Sequence, residues 1–157
     1  MTLDVLRKVA IAHGAISWVA ALALLAVALR LVLRRPNAPW LFAQAAATTV
    51  LVSLSFASGA LLEQPYRTHL RQRLFLASRP LGWLFERKLH LAFGSLLFAL
   101  CALAILLAAS RAERASTPRD PIVASLTRAA RFAYAASALF ALFACVASSL
   151  AAARMRF

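Results

Sequence analysis

The stretch LAFGSLLFALCALAILLAAS, residues 91–110, carries no charged side chain over a full twenty residues. A bilayer core of roughly 30 Å is crossed by about 20 apolar residues in a helix. A soluble amphipathic helix of that length would show a polar face. This stretch has none, so it reads as a membrane span.

The same reading extends to three more segments. Residues 10–29 are also free of charge. The expected spans are about 9–33, 40–62, 89–109 and 132–153. The whole chain is 63 % hydrophobic with a mean hydropathy of +0.78, well above a soluble domain. The expected fold is an all-α, integral-membrane four-helix up-down-up-down bundle forming a single domain over residues 1–157. The apolar run of the first span is too long for a cleaved signal peptide. Arg30, Arg34 and Arg35 follow it as a stop-transfer flank, so it is kept as a mature helix.

The connections differ in kind. Residues 34–39 form a short turn with two prolines, and Trp40 suits the headgroup region. Thr2 or Asp4 can cap the first helix. Between the second and third spans, Tyr66, Leu70 and Leu74 recur at helical spacing beside Arg67 and Arg71. This predicts a short amphipathic interfacial helix over about 65–80. Pro80 then marks a helix start about nine residues before the apolar part of the third span. The segment 111–131, with Pro118 and Pro121, reads as a polar loop.

The net charge is +13. In a soluble protein that would suggest nucleic acid. Here the cations flank the spans and meet lipid phosphates, so the bilayer and not nucleic acid is the expected partner. Sixteen of the eighteen basic residues are arginine, a bias that suits a GC-rich bacterial genome and an inner-membrane location. The face holding both termini carries ten of them: Arg7, Lys8, Arg67, Arg71, Arg73, Arg79, Arg87, Lys88, Arg154 and Arg156. The opposite face carries the other eight, so the positive-inside rule puts both termini in the cytoplasm. Cys101 and Cys145 fall in mid-span and read as small packing residues.

Helix association in lipid relies on close packing and polar contacts. The fourth span offers Ala133, Ser137, Ala141, Ala144, Ser148 and Ala152 as a small-residue stripe. The second offers Gln44, Thr48, Val52, Ser55, Gly59 and Glu63 on one face. Both faces are expected to look inward.

Chemistry, if present, lies at one end. His13 and His90 each sit roughly 15 Å above their helix starts, on helices that run parallel. Glu63 closes the second span there, Glu86 precedes His90 by one helical turn, and His69 stands in the nearby connection. An ionisable group inside a span costs about 2.5–3.5 kcal/mol at the centre and therefore seeks partners. Three uses fit. One is a zinc or iron site built from His13, Glu63, Glu86, His90 and His69. Another is a b-type haem between His13 and His90, with Gly14 and Gly94 making room and Arg67 meeting a propionate. The third is a proton or ion relay. Against these, Glu86, Arg87 and Lys88 can simply reach the headgroups, and Glu63 can pair with Arg67.

The expected function is therefore metal or haem binding for electron transfer or ion handling. The rival is an accessory subunit that packs against other membrane subunits or its own copies. No hydrolase elbow, nucleotide loop or dinucleotide fingerprint occurs, so enzymatic activity is not favoured. The layout is similar to that of four-helix membrane cytochromes of the b type, and no residue role is carried over from them.

Overall fold

The computed structural model describes residues 3–33, 39–115 and 121–155. They form five helices: α1 (Leu3–Leu33), α2 (Pro39–His69), α3 (Arg71–Ala77), α4 (Arg79–Ala115) and α5 (Pro121–Met155). Four of them are long and apolar enough to cross a membrane. The all-α membrane bundle expected from the sequence is the architecture observed. Thr2, Pro118 and residues 34–38 of the turn expected over 34–39 lie outside the described residues, and Pro39 opens α2.

Every long helix overruns its expected span. α1 has 31 residues, about 46 Å at 1.5 Å per residue, against a hydrocarbon core of roughly 30 Å. The extra turns carry the charges at which the hydropathy reading stopped. Headgroups accept such charges, and the helical hydrogen bonds continue through them. The loop expected over 111–131 is correspondingly shorter: α4 runs on to Ala115, and Pro121 opens α5. Proline suits that first position, where its missing N–H is not needed.

The interfacial segment also differs from expectation. α2 continues through Pro65 to His69, and α3 is only 7 residues. Only Leu70 separates them, and backbone bonds Leu70 N–H to Tyr66 O and Leu74 N–H to Leu70 O, each 2.9 Å, carry through it. Tyr66, Leu70 and Leu74 do share a face, but it packs under the bundle with Leu81, Phe85 and Ala151. Ser78 then closes α3 and opens α4. Its N–H donates to Leu74 O, and its Oγ accepts from Leu81 N–H at 3.5 Å, the N-cap arrangement.

The four long helices occupy the corners of a square. α1 packs on α2 and α5, and α4 packs on α5 and α2, while Tyr134 of α5 reaches across a diagonal to Ala45 O and Thr49 Oγ1 of α2, each at 3.5 Å. The most extensive seam joins α4 to α5. At its centre Ser95 Oγ donates to Ser137 O at 3.0 Å and Ser137 Oγ donates to Ser95 O at 2.7 Å. Both serines are buried. Gly94 lets the Phe140 ring lie where a Cβ would stand, 3.0 Å away. The half of the bundle remote from α3 is filled by Leu24, Val27 and Leu31 of α1, Leu41 of α2, Leu106 of α4 and Tyr134 of α5. Outward residues such as Leu22, Leu54, Phe132 and Phe143 are exposed, as a lipid-facing surface requires.

Two consequences are measurable. Ser95→Ala removes one interhelical hydroxyl and should cost about 0.6 kcal/mol. Ser137→Leu overpacks the same seam and should cost about 1–3 kcal/mol. Unfolding in mixed micelles reads both, and equal costs would show that close approach does not set this seam. At Gly82 a Cβ would stand 2.8 Å from the Phe75 ring, so Gly82→Ala should lift α3 off α4. Hydrogen exchange over residues 70–78 should then quicken several-fold, with the four spans unchanged.

Candidate functional site

In the half of the bundle that contains α3, the inward positions are small. Gly14, Ser17, Gly59, Ala92, Ala144 and Ser148 stand where the other half has leucine, valine and tyrosine. The result is a cavity of about 810 Å³ between the four spans, lined from α1, α2, α3, α4 and α5. The fourth-span stripe thus has two roles. Ala133 and Ser137 close the upper seam, while Ala141, Ala144, Ser148 and Ala152 line the void. The inward face of the second span is as expected from Thr48 onward: Thr48 and Val52 are buried, and Ser55, Gly59 and Glu63 line the cavity, whereas Gln44 is half-buried and bonded to Arg30.

His13 is fixed in the cavity wall by α2. Its Nδ1 lies 2.9 Å from Ser58 Oγ. When the Ser58 hydroxyl donates to Ser55 O, also 2.9 Å away, its oxygen accepts from His13 Nδ1–H. The neutral imidazole then carries its lone pair on Nε2, which has no hydrogen-bond partner among the described residues. One turn along α1, Ser17 Oγ donates to His13 O at 2.8 Å and lies 2.8 Å from Ser55 Oγ. Gly59 makes room for the ring: a Cβ there would be 3.0 Å from His13 Cε1.

Lys88 enters from α4. Its ammonium lies over the Phe85 ring, 3.7 Å from the centroid, and donates to Ser148 Oγ at 3.3 Å. Ser148 in turn donates to Ala144 O at 2.9 Å. Cys145 lines the cavity and is buried, whereas Cys101 is exposed on the outer surface.

The carboxylates are engaged elsewhere. Glu63 binds Arg67 Nε at 2.7 Å. Glu86 accepts from Arg71 Nε at 2.9 Å and from Tyr66 Oη at 3.3 Å, tying α2 and α3 to α4. Tyr66 stacks on Phe85 with ring centroids 4.6 Å apart.

The expected constellation is therefore only partly assembled. His13, Gly14, Glu63 and His69 share the cavity lining. His90 does not: it is exposed, and Gly94 packs against Phe140 instead. Arg67 is spent on Glu63. Among the described residues, no group of three or more His, Cys, Asp and Glu side chains is placed to hold a metal ion, so the multi-ligand zinc or iron cage is not formed there. The reason is helical phase. Lys88 and His90 are two residues, or about 200°, apart around α4, so only one of them can face inward. Ser95, Ala99, Ala102 and Leu106 define the buried face. Stepping back along it by threes and fours reaches Ala92, Lys88 and Phe85. That pattern was available in the sequence and points to Lys88, which the sequence reading left at the headgroups.

No family model, curated protein or solved structure matches the chain. The chemistry of the cavity rests on its geometry.

Gly59→Ala should push the His13 ring out of its slot. In histidine-labelled protein, one imidazole signal of the three should then move, with exposed His69 and His90 unchanged. No movement of any signal would mean that the ring is not held by that contact.

Proposed function

We propose that this protein is a small multi-pass membrane protein that binds one b-type haem in the cavity, with His13 Nε2 as an axial ligand. The observation that carries the reading is His13, anchored through Nδ1 to Ser58 with Nε2 free of hydrogen-bond partners among the described residues, beside an apolar cavity. A ligating histidine commonly donates its other ring N–H to a fixed acceptor, which orients the ring and makes the free nitrogen more basic. Ser58 is such an acceptor. The volume, about 810 Å³, is in the range of cofactor pockets. Trp18, Val52, Phe56 and Leu89 offer apolar walls to a macrocycle, and Arg7, Arg73 and His69 stand along the lining to meet propionates. A haem held in this way would serve electron transfer. In our reading the protein resides in a bacterial inner membrane with this end on the cytoplasmic side, following the excess of basic residues.

Haem bound between His13 and His90 would need both imidazoles inside, and His90 is exposed. The two forms are separable. In mild detergent, the protein as purified or after addition of ferric protoporphyrin IX should show a Soret band. His13→Ala should abolish that band, and His90→Ala should leave it in place. A protein that gives no band under either condition, or a band indifferent to His13→Ala, would overturn the haem assignment.

A further inference from the structure

We propose that Lys88 and Ser148 form a seat for a carboxylate inside the cavity, so that the occupant is an amphiphile bearing an acid group. The inference rests on the cavity being a ligand site and not on iron ligation by His13.

Lys88 is the unusual member of the lining. A cation held between membrane helices is normally paired, because low dielectric penalises a lone charge. Among the described residues no carboxylate lies within ion-pairing distance of Lys88; Glu63 and Glu86 pair with Arg67 and Arg71. The ammonium has three donors and spends one on Ser148 Oγ. The Phe85 ring beneath it satisfies charge but accepts no strong hydrogen bond. Two donors therefore remain for an incoming acceptor. A carboxylate offers two oxygens to these donors, whereas the lining's own acid, Glu63, acts on Lys88 only from beyond contact and is bound to Arg67.

The other cations of the lining are poorer seats. Arg7, Arg73 and His69 are all exposed, so water and salt weaken their pull. Lys88 stands deeper, beside Cys145, Ala144 and Ala92, which also line the cavity. An ion pair formed there is less screened. A headgroup at Lys88 leaves the apolar walls formed by Val52 and Leu89 to the body of the molecule.

Metal-free protoporphyrin IX, its dimethyl ester and oleate distinguish the alternatives in detergent, with the quenching of intrinsic tryptophan fluorescence as the readout, Trp18 being the tryptophan that lines the cavity. The free acid should quench with an affinity roughly tenfold to a hundredfold above the ester, the range expected for a charge-assisted hydrogen-bonded pair. Lys88→Gln should erase that difference, and Lys88→Arg should preserve it. The wild-type comparison needs no variant to fold. Displacement of the porphyrin by oleate, lost in Lys88→Gln, would support the seat with a fatty acid as its occupant. Preference for the diacid porphyrin without displacement by oleate would support it with a tetrapyrrole. Equal binding of acid and ester, or an acid preference unchanged in Lys88→Gln, would overturn it. An acid preference dependent on Lys88 in a protein that gives no Soret band would sink only the haem reading. A His13-dependent Soret band without any acid preference would sink only the seat.

Discussion

The constraint behind this molecule is that lipid offers no hydrophobic reward for bringing apolar helices together. Contact must come from short-range packing and from hydrogen bonds that have no aqueous competitor. The α4–α5 seam meets both demands through Ser95 and Ser137, which exchange hydroxyl-to-carbonyl bonds across two closely apposed backbones. α1 and α2 meet them through Ser17 with Ser55 and His13 with Ser58. Two tight pairs are thereby set side by side. Where large side chains fill the space between the pairs, the bundle is solid. Where the inward residues are glycine, alanine and serine, the diagonal remains open. The cavity is thus a product of the same small residues that permit close approach elsewhere.

The fold was legible because membrane crossing is written in composition. A run such as residues 91–110 admits one interpretation, and four such runs with short connections admit few topologies. Pro80 marked the start of α4 to within a residue. Helix ends were less legible, since hydropathy falls at the first arginine while the backbone bonds continue. The segment around Tyr66 to Leu74 was recognised as one-sided, but its apolar side serves the underside of the bundle. Amphipathicity alone does not distinguish a lipid surface from a protein surface.

The site was legible in location and not in membership. Histidines and acids crowd the end where the cavity lies. Which of them enter it depends on rotation about each helix axis, and a hundred degrees per residue makes neighbours diverge quickly. His90 attracted attention as a ligand type, yet the buried face of α4 runs through Lys88. Glu63 pairs with Arg67, the alternative to chemistry that the sequence also offers, and Glu86 binds Arg71 of α3. Ser58 gave no signal by itself. Its importance follows only from the contact of its hydroxyl with Nδ1 of His13, which anchors the imidazole of a different helix.

The two cysteines divide the molecule into an inside and an outside. Cys145 borders the void, and Cys101 faces outward from α4. Their separation rules out a mutual bridge within one chain and leaves two thiols in contrasting surroundings. The bundle itself shields the first from a lipid-soluble alkylating reagent and leaves the second accessible. The polypeptide therefore carries an internal footprinting pair, with probe and reference encoded in the same chain.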